Sequence, residues 1–187
     1  FDETRLRIRS SHARKLKHLH KSFLSKIEAR YQVPANILLA IWALESDFGR
    51  FKLKYLTLKA LGFQAYASNR KRYFFNEILE TIKLLKKDKI SYRTLYSSSL
   101  GAMGQPQFMP SSYNDLAVDF NADGVKDIWN NDHDVLASIA NFLKKRGWIN
   151  GLEWGYEIKT LPNFPCYMEG PENIKPISWW KESGIIA

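Results

Sequence analysis

The sequence predicts a mainly α fold, and three observations carry that prediction. Apolar residues recur at helical spacing in several long stretches of the first 150 residues. Glycine and proline cluster in "GAMGQPQFMP", residues 101–110, and in a tail beginning at 154. The only strand signal is a short one, "YEIKTL", inside that tail.

Residues 5–31 read as one helix, with Leu16, Leu19, Phe23, Leu24 and Ile27 inward and basic residues between them. Pro34 suits the first position of a helix over 34–47. Within it Ile37, Leu38, Ile41, Trp42 and Glu45 follow at spacings of one, three, one and three, which places Glu45 on the buried stripe, a turn before Gly49. Residues 70–88 repeat the pattern with Phe74, Phe75, Ile78, Leu79, Ile82 and Leu85 inward. Two glycines and two prolines in ten residues exclude regular structure over 101–110, so a packed, irregular loop is expected there. Ser111 or Ser112 then caps a short helix through Val118, and "HDVLASIANFLKKRGW" forms another helix ending at Gly147.

A chain of 187 residues without repeats or a Ser/Gly-rich linker is read as a single domain, 1–187, long enough to bury its own core. The formal charge of +9 attracts polyanions: nucleic acid, anionic lipid or acidic cell-wall polymers. Its dispersion along the chain argues against a nucleic-acid recognition face. The one cysteine, Cys166 beside Pro165, excludes an internal disulfide and a Cys-rich zinc site, and is expected to pack. No apolar run approaches the ~18 residues that span a bilayer. "FDETRLRIRS" has neither an initiator Met nor an apolar leader, so a mature or trimmed fragment is expected.

Two patterns carry chemistry. A carboxylate among Ile37, Ile41 and Trp42 loses hydration, and its pKa rises toward the range of a general acid for glycosidic cleavage. The competing reading is a structural glutamate paired with a lysine or arginine. In "DFNADGVKDIWN", Asp119, Asn121, Asp123 and Gly124 match positions one, three, five and six of an EF-hand-like loop. Val125 would offer its carbonyl, Asp127 would act at nine, and Asp134 would close a lengthened loop, because position twelve is Asn130 rather than glutamate. Calcium is the ion that such oxygen ligands suit, with an Asx-rich turn as the plain alternative. The basic helix 14–26 is read as a solvated face, and His12, His18 and His20 lack acidic partners at metal-ligand spacing.

"ALESDFG", "GAMGQPQFMPSSY", "AVDFNADGVKDIWN" and "SIANFLKKRGW" stand in that order over about residues 30–150, and together they resemble the lytic murein transglycosylase B family. The resemblance implies a lysozyme-like fold, a cleft for peptidoglycan glycan strands, and a periplasmic enzyme, often tethered to the outer membrane by lipid and working as a monomer. It places the catalytic acid on Glu45, sugar contacts on Gln107 with Met103 and Phe108 as apolar neighbours, an active-site serine on Ser98 within the run Ser97–Ser99, and a cleft tyrosine on Tyr73. Phe142 stands where relatives commonly carry tyrosine, and the chain stops at "SWWKESGIIA", short of the family's final segment.

Glycosidases usually need two carboxylates across the scissile bond. Asp47 lies about 200° around the helix from Glu45, and the aspartates of the 119–134 loop are better explained as metal ligands. The family's substrate supplies its own nucleophile, the C6 hydroxyl of N-acetylmuramic acid, so one glutamate can serve both proton transfers. No catalytic cofactor is expected. A muramidase-type hydrolase and a non-catalytic peptidoglycan-binding module are the competing functions.

Overall fold

The computed structural model describes residues 2–88, 90–152, 154–155, 157–160, 164, 166–168, 170 and 172–186. The chain divides into two compact units, residues 1–150 and 151–187.

The first unit is helical. Asp2 caps α1 (Glu3–Leu19) by accepting from the N–H groups of Thr4 and Arg5, at 3.0 and 3.3 Å. The single helix expected over 5–31 is interrupted at His20, after which α2 (Lys21–Tyr31) begins. The two pieces have different partners: α1 lies against α3, α2 against α3 and α7. Leu19, expected inward, is exposed. Glu28 of α2 accepts from the Ala35 N–H at 2.6 Å and so caps α3 (Ala35–Ser46), with Pro34 just outside the helix.

Strand β1 (Tyr55–Leu56) pairs antiparallel with β2 (Tyr96–Ser97). Between them run α4 (Thr57–Ala67), which the sequence pattern did not announce, and α5 (Lys71–Lys87). The buried face of α5 is Phe74, Glu77, Thr81 and Leu84, whereas Phe75, Leu79 and Ile82 are exposed. The helix is rotated from the expected face because two polar residues find partners inside. Glu77 accepts from the backbone N–H and hydroxyl of Ser111 at 2.9 and 2.7 Å, and the Thr81 hydroxyl donates to the Glu77 carbonyl at 2.8 Å. The same bonds replace the expected serine cap on α6 (Pro110–Leu116), which begins on proline without a side-chain cap of its own. Helix α7 (Asp132–Lys145) starts from Asn131, whose side chain accepts from His133 N–H at 3.0 Å.

Two apolar clusters form. One joins α2, α3 and α7 through Leu24, Ile27, Leu38, Trp42, Leu136 and Ile139. The other gathers Leu84, Leu95, Met103, Phe108, Tyr113 and Ile128 under the 101–110 loop. In the second unit, β3 (Lys159–Thr160) pairs antiparallel with β4 (Ile185–Ile186), and a 3-10 turn (Cys166–Met168) and α8 (Ile177–Glu182) lie between them. The expected strand over 156–161 is thus present at 159–160; Tyr156, Leu161, Pro165 and the side chain of Cys166 fall outside the described residues. No helix among the described residues is long and apolar enough to cross a membrane.

Candidate active site

The motif "ESDFG" ends α3 in three consecutive residues of left-handed backbone: Asp47 at φ +51°, Phe48 at +58° and Gly49 at +78°. A bulky residue in that region is strained, and strain of this kind persists where neighbours over-determine the conformation. Here they do. The buried Ser46 hydroxyl accepts from the Gly49 N–H at 3.0 Å, and Phe48 packs edge-on against Trp42 and His12, ring centroids 5.5 and 4.9 Å away. Asp47 is held by Arg9 of α1 at 3.2 Å and by Arg50 at 3.8 Å. A side chain on Gly49 would collide with Gln105. The chain therefore turns sharply after Glu45 and carries residues 51–55 back beside it.

Glu45 itself lies off the buried stripe, which corrects the sequence expectation. The buried arc of α3 is Ala35, Leu38, Leu39, Trp42, Ala43 and Ser46, while Ile37, Ile41 and Glu45, four residues apart, form the ridge at its border. The carboxyl group is exposed at the wall between two cavities. One, of about 380 Å³, is bounded by Ile41, Gln107, Phe108, Ile139 and Phe142; the other, of about 260 Å³, by Lys52, Lys54, Tyr55, Ser98 and Gln107. The larger cavity sits at the seam of the two apolar clusters. Partial burial against this apolar wall pushes the Glu45 carboxyl above its usual pKa. Among the described residues no cation or hydrogen-bond donor pairs with it, so the structural ion pair is absent. Among the described residues, neither cavity is lined by a second Asp or Glu.

The 101–110 loop is held by packing that only glycine permits at two points. Gly101, at φ +88°, lies directly on Leu61 of α4, and a Cβ on Gly104, at φ +63°, would come within 2.7 Å of the Ile128 carbonyl oxygen. Isolated bridges join Ser97 to Met103 and Met103 to Phe108. Of the expected sugar contacts, Gln107, Phe108 and Ser98 reach the Glu45 cavities. The Gln107 amide nitrogen donates to the Gly104 carbonyl at 2.8 Å, and the Ser98 hydroxyl accepts from Ala102 N–H at 3.2 Å. Met103 is fully buried, so it supports the loop from beneath rather than facing the cleft. Tyr73 borders neither cavity. Its ring lies under Arg70, 4.2 Å from ring centroid to guanidinium carbon, and burial, then the Glu77 carboxylate, hold its hydroxyl protonated above the usual range. Phe142 adds a ring 5.6 Å from that of Phe108, making the cleft wall apolar where a hydroxyl was expected from relatives.

Sequence reasoning missed Gln105. Its side chain accepts from the Trp42 indole at 2.6 Å and donates to the Trp129 carbonyl at 2.8 Å, tying α3 through the 101–110 loop to the 119–134 loop. Nothing in "GQPQ" distinguishes this glutamine from the one two residues later; only the fold does.

The 119–134 loop has oxygen donors of the right chemistry for a hard divalent cation, and Gly124 takes the left-handed turn, φ +89°, that an EF-hand-like loop needs. Its carboxylates are engaged locally. Asp119 accepts from the N–H groups of Asp123 and Gly124, and the Asn121 amide donates to Asp123 at 2.8 Å. Asp127 accepts from the N–H groups of Trp129 and Asn130, both at 2.9 Å, and Val125 is exposed. Asp134 is fully buried; its two oxygens accept from Phe120 N–H at 2.8 Å and Asp127 N–H at 2.9 Å, clasping both ends of the loop from within. Among the described residues no group of three or more His, Cys, Asp or Glu side chains stands in metal-binding geometry.

Comparison with known proteins decides the lineage. The model of the transglycosylase SLT domain matches residues 3–187. The chain belongs to that family. Within it, the membrane-bound lytic murein transglycosylase B of Escherichia coli (strain K12) is 38% identical over 122 residues, which are 65% of this chain and 34% of that protein. SltB3 of Pseudomonas aeruginosa, solved in complex with NAG-anhNAM-pentapeptide, superposes with a TM-score of 0.80 at 34% identity, covering 96% of this chain and 48% of that one. The Escherichia coli lytic transglycosylase Slt35, solved in complex with calcium, gives 0.81 at 28% identity over 98% of this chain and 61% of its own. This SLT-domain chain therefore has their lysozyme-like, mainly helical fold, and spans about a third of the curated relative and about half to three-fifths of the solved ones.

Proposed function

We propose that this chain is the catalytic part of a peptidoglycan lytic transglycosylase that cleaves the β-1,4 bond between N-acetylmuramic acid and N-acetylglucosamine. The observation that carries the reading is Glu45: a carboxyl of raised pKa, unpaired among the described residues, at the shared wall of two cavities where no other described residue is an acid. Two-carboxylate hydrolysis needs a partner ~5–10 Å away, and among the described residues none lines either cavity. A single group serves if the nucleophile comes from the sugar. Glu45 gives its proton to the glycosidic oxygen as the bond from C1 breaks; the C6 hydroxyl of the muramic acid closes on C1; Glu45 recovers a proton from that hydroxyl. Atoms balance without water, and the product is a 1,6-anhydro end, the form named in the ligand of the Pseudomonas relative.

In this reading Gln107 and Ser98 offer polar contacts to the sugar and Phe108 an apolar one, with Met103 supporting the loop. Tyr73 acts from the neighbouring α5 surface. Calcium bound by Asp119, Asn121, Asp123, the Val125 carbonyl and Asp127 would order the adjoining loop, as supported by the oxygen chemistry and by the calcium complex of Slt35; Asp134 then orients the loop through its backbone bonds. The glycan strand is the partner, and the periplasm, with a tether at the outer membrane, is the place where it is met.

The test is mass spectrometry of murein digests by wild type and Glu45→Gln. Wild type is expected to yield 1,6-anhydromuramic ends, and the variant to bind murein but cut it ~10²–10⁴ times more slowly. Reducing muramic ends would make the enzyme a hydrolase, and undiminished cutting would remove Glu45 from catalysis.

A further inference from the structure

Glu77 of α5 is a buried carboxylate, 3% exposed, that takes no part in the proton transfers at Glu45. Its two oxygens are used separately on one residue: Oε2 accepts from the Ser111 N–H at 2.9 Å and Oε1 from the Ser111 hydroxyl at 2.7 Å. The Tyr73 hydroxyl, kept protonated in part by this carboxylate, faces it from the same helix. Among the described residues no cation lies within 4.0 Å of it. A buried anion held by dipoles alone is a costly way to join two helices. What it offers is geometry: a carboxylate accepts at both oxygens, so one side chain takes both donors of Ser111 and fixes that residue's orientation as well as its position.

Ser111 stands where orientation matters. It is the second residue of α6, just after the segment Gln107–Met109, and Gln107, Phe108, Met109 and Ser112 all line the larger Glu45 cavity. Gln107 lies in left-handed backbone, at φ +53°, a conformation that persists only while its neighbours over-determine it. The turn containing it is closed by backbone bonds between Met103 and Phe108 at 2.7 and 3.0 Å, and beyond that turn the chain is next clasped at Ser111. Among the described residues, α5 packs against α4 and α6 and not against α3. Its influence on Glu45 therefore travels through α6 and this wall.

We infer that Glu77 is a positioning residue for glycan cleavage: by clasping Ser111 it sets where Phe108, Met109 and Ser112 stand opposite Glu45, and so how well sugar is held and water excluded there. The inference rests on the glycan-cleaving reading above. A shift of about 1 Å in such a wall costs a reaction up to about 10²-fold. It also lets water reach the Glu45 carboxyl, which favours the ionised form.

The test compares wild type, Glu77→Gln and Thr81→Val on soluble murein glycan strands, and follows the Glu45 side-chain carboxyl resonance, assigned with Glu45→Gln, through a pH titration of the ligand-free proteins. Glutamine keeps the size of the side chain but only one acceptor. Glu77→Gln, at a temperature where it is fully folded, is expected to lower kcat/KM ~10–100-fold. The alkaline limb of its pH profile should move to lower pH, because a better hydrated general acid loses its proton earlier, and the Glu45 midpoint should move the same way. Thr81→Val loses a buried bond of the same helix without touching Ser111 and should leave all three readouts unchanged. Ser111→Ala, which removes the hydroxyl bond alone, serves if Glu77→Gln does not fold, with an expected loss of ~10-fold. A folded clasp variant that cuts normally, or that loses activity with the pH limb and the Glu45 midpoint unmoved, overturns the inference. Murein left uncut by the wild type would instead sink the proposed activity, and the Glu45 midpoint then decides by itself whether the clasp sets the wall.

Discussion

A carboxyl whose folded-state pKa is raised favours folding only where it is protonated. For Glu45 the contribution is fully present below the unfolded value, near the usual 4.5 of glutamate, and is lost as pH rises through the raised folded value. At neutral pH the ionised group is therefore a small cost to stability, discounted because the side chain is open to solvent on one side. Glu45→Gln is expected to melt at or above the wild-type temperature at pH 7, and the difference should vanish or reverse on acidification below 4.5; a variant that melts lower at pH 7 would show that the carboxylate has a stabilising partner. Residue chemistry also separates the two glutamines of the loop. Gln105→Ala removes its bonds to Trp42 of α3 and to the Trp129 carbonyl in the 119–134 loop and should cost ~2–4 kcal/mol in urea unfolding, since each bond left unmade costs ~1–3 kcal/mol. Gln107→Ala loses one bond within its own turn and should cost under ~1.5 kcal/mol while weakening glycan binding more. Equal stability losses would mean that Gln107 is a loop staple and nothing more.

At the scale of elements, α5 shows how helical spacing names a face without choosing its rotation. Six apolar positions span a broad arc, and Glu77 and Thr81, the residues with partners on α6 and on the helix itself, decide which edge turns inward. Phe74 is 6% exposed and Phe75 55%. Phe74→Ala should therefore cost ~3–5 kcal/mol, and Phe75→Ala less than ~1 kcal/mol; similar losses from the two, measured by chemical denaturation, would return Phe75 to the core. The α3 terminus makes a related point. Its left-handed run is kept by Arg9 from α1 and Gln105 from the loop, elements far away in sequence, which is why the motif can be seen in the chain but its geometry cannot.

At the scale of the whole molecule, the 119–134 loop links α6 and α7 of the first unit. A ligand that binds only the native loop stabilises the fold by RT ln(1 + [L]/Kd), ~2.7 kcal/mol at a hundredfold excess over Kd. Calcium is expected to raise the melting temperature by several degrees, and a chelator to reverse the gain. A melting temperature indifferent to both would leave the loop an Asx-rich turn clasped by Asp134.

The sequence by itself determined the helical class, the irregular 101–110 loop, a carboxylate at Glu45 near the end of α3 and the oxygen-rich loop after Asp119, because these follow from local periodicity, backbone restriction by Gly and Pro, and the chemistry of single side chains. Tertiary structure decided what depends on partners distant in sequence: that Glu45 stands at the border of the buried arc rather than on it, that Met103 lies beneath the cleft and Gln105 clamps it, that α1 and α2 part at His20 to meet different helices, and that Asp134 is spent on backbone N–H groups. The physical reason is the same in each case. Helical spacing places a residue on a face to within a turn of rotation, but burial and hydrogen bonding are settled by what another element brings to that face.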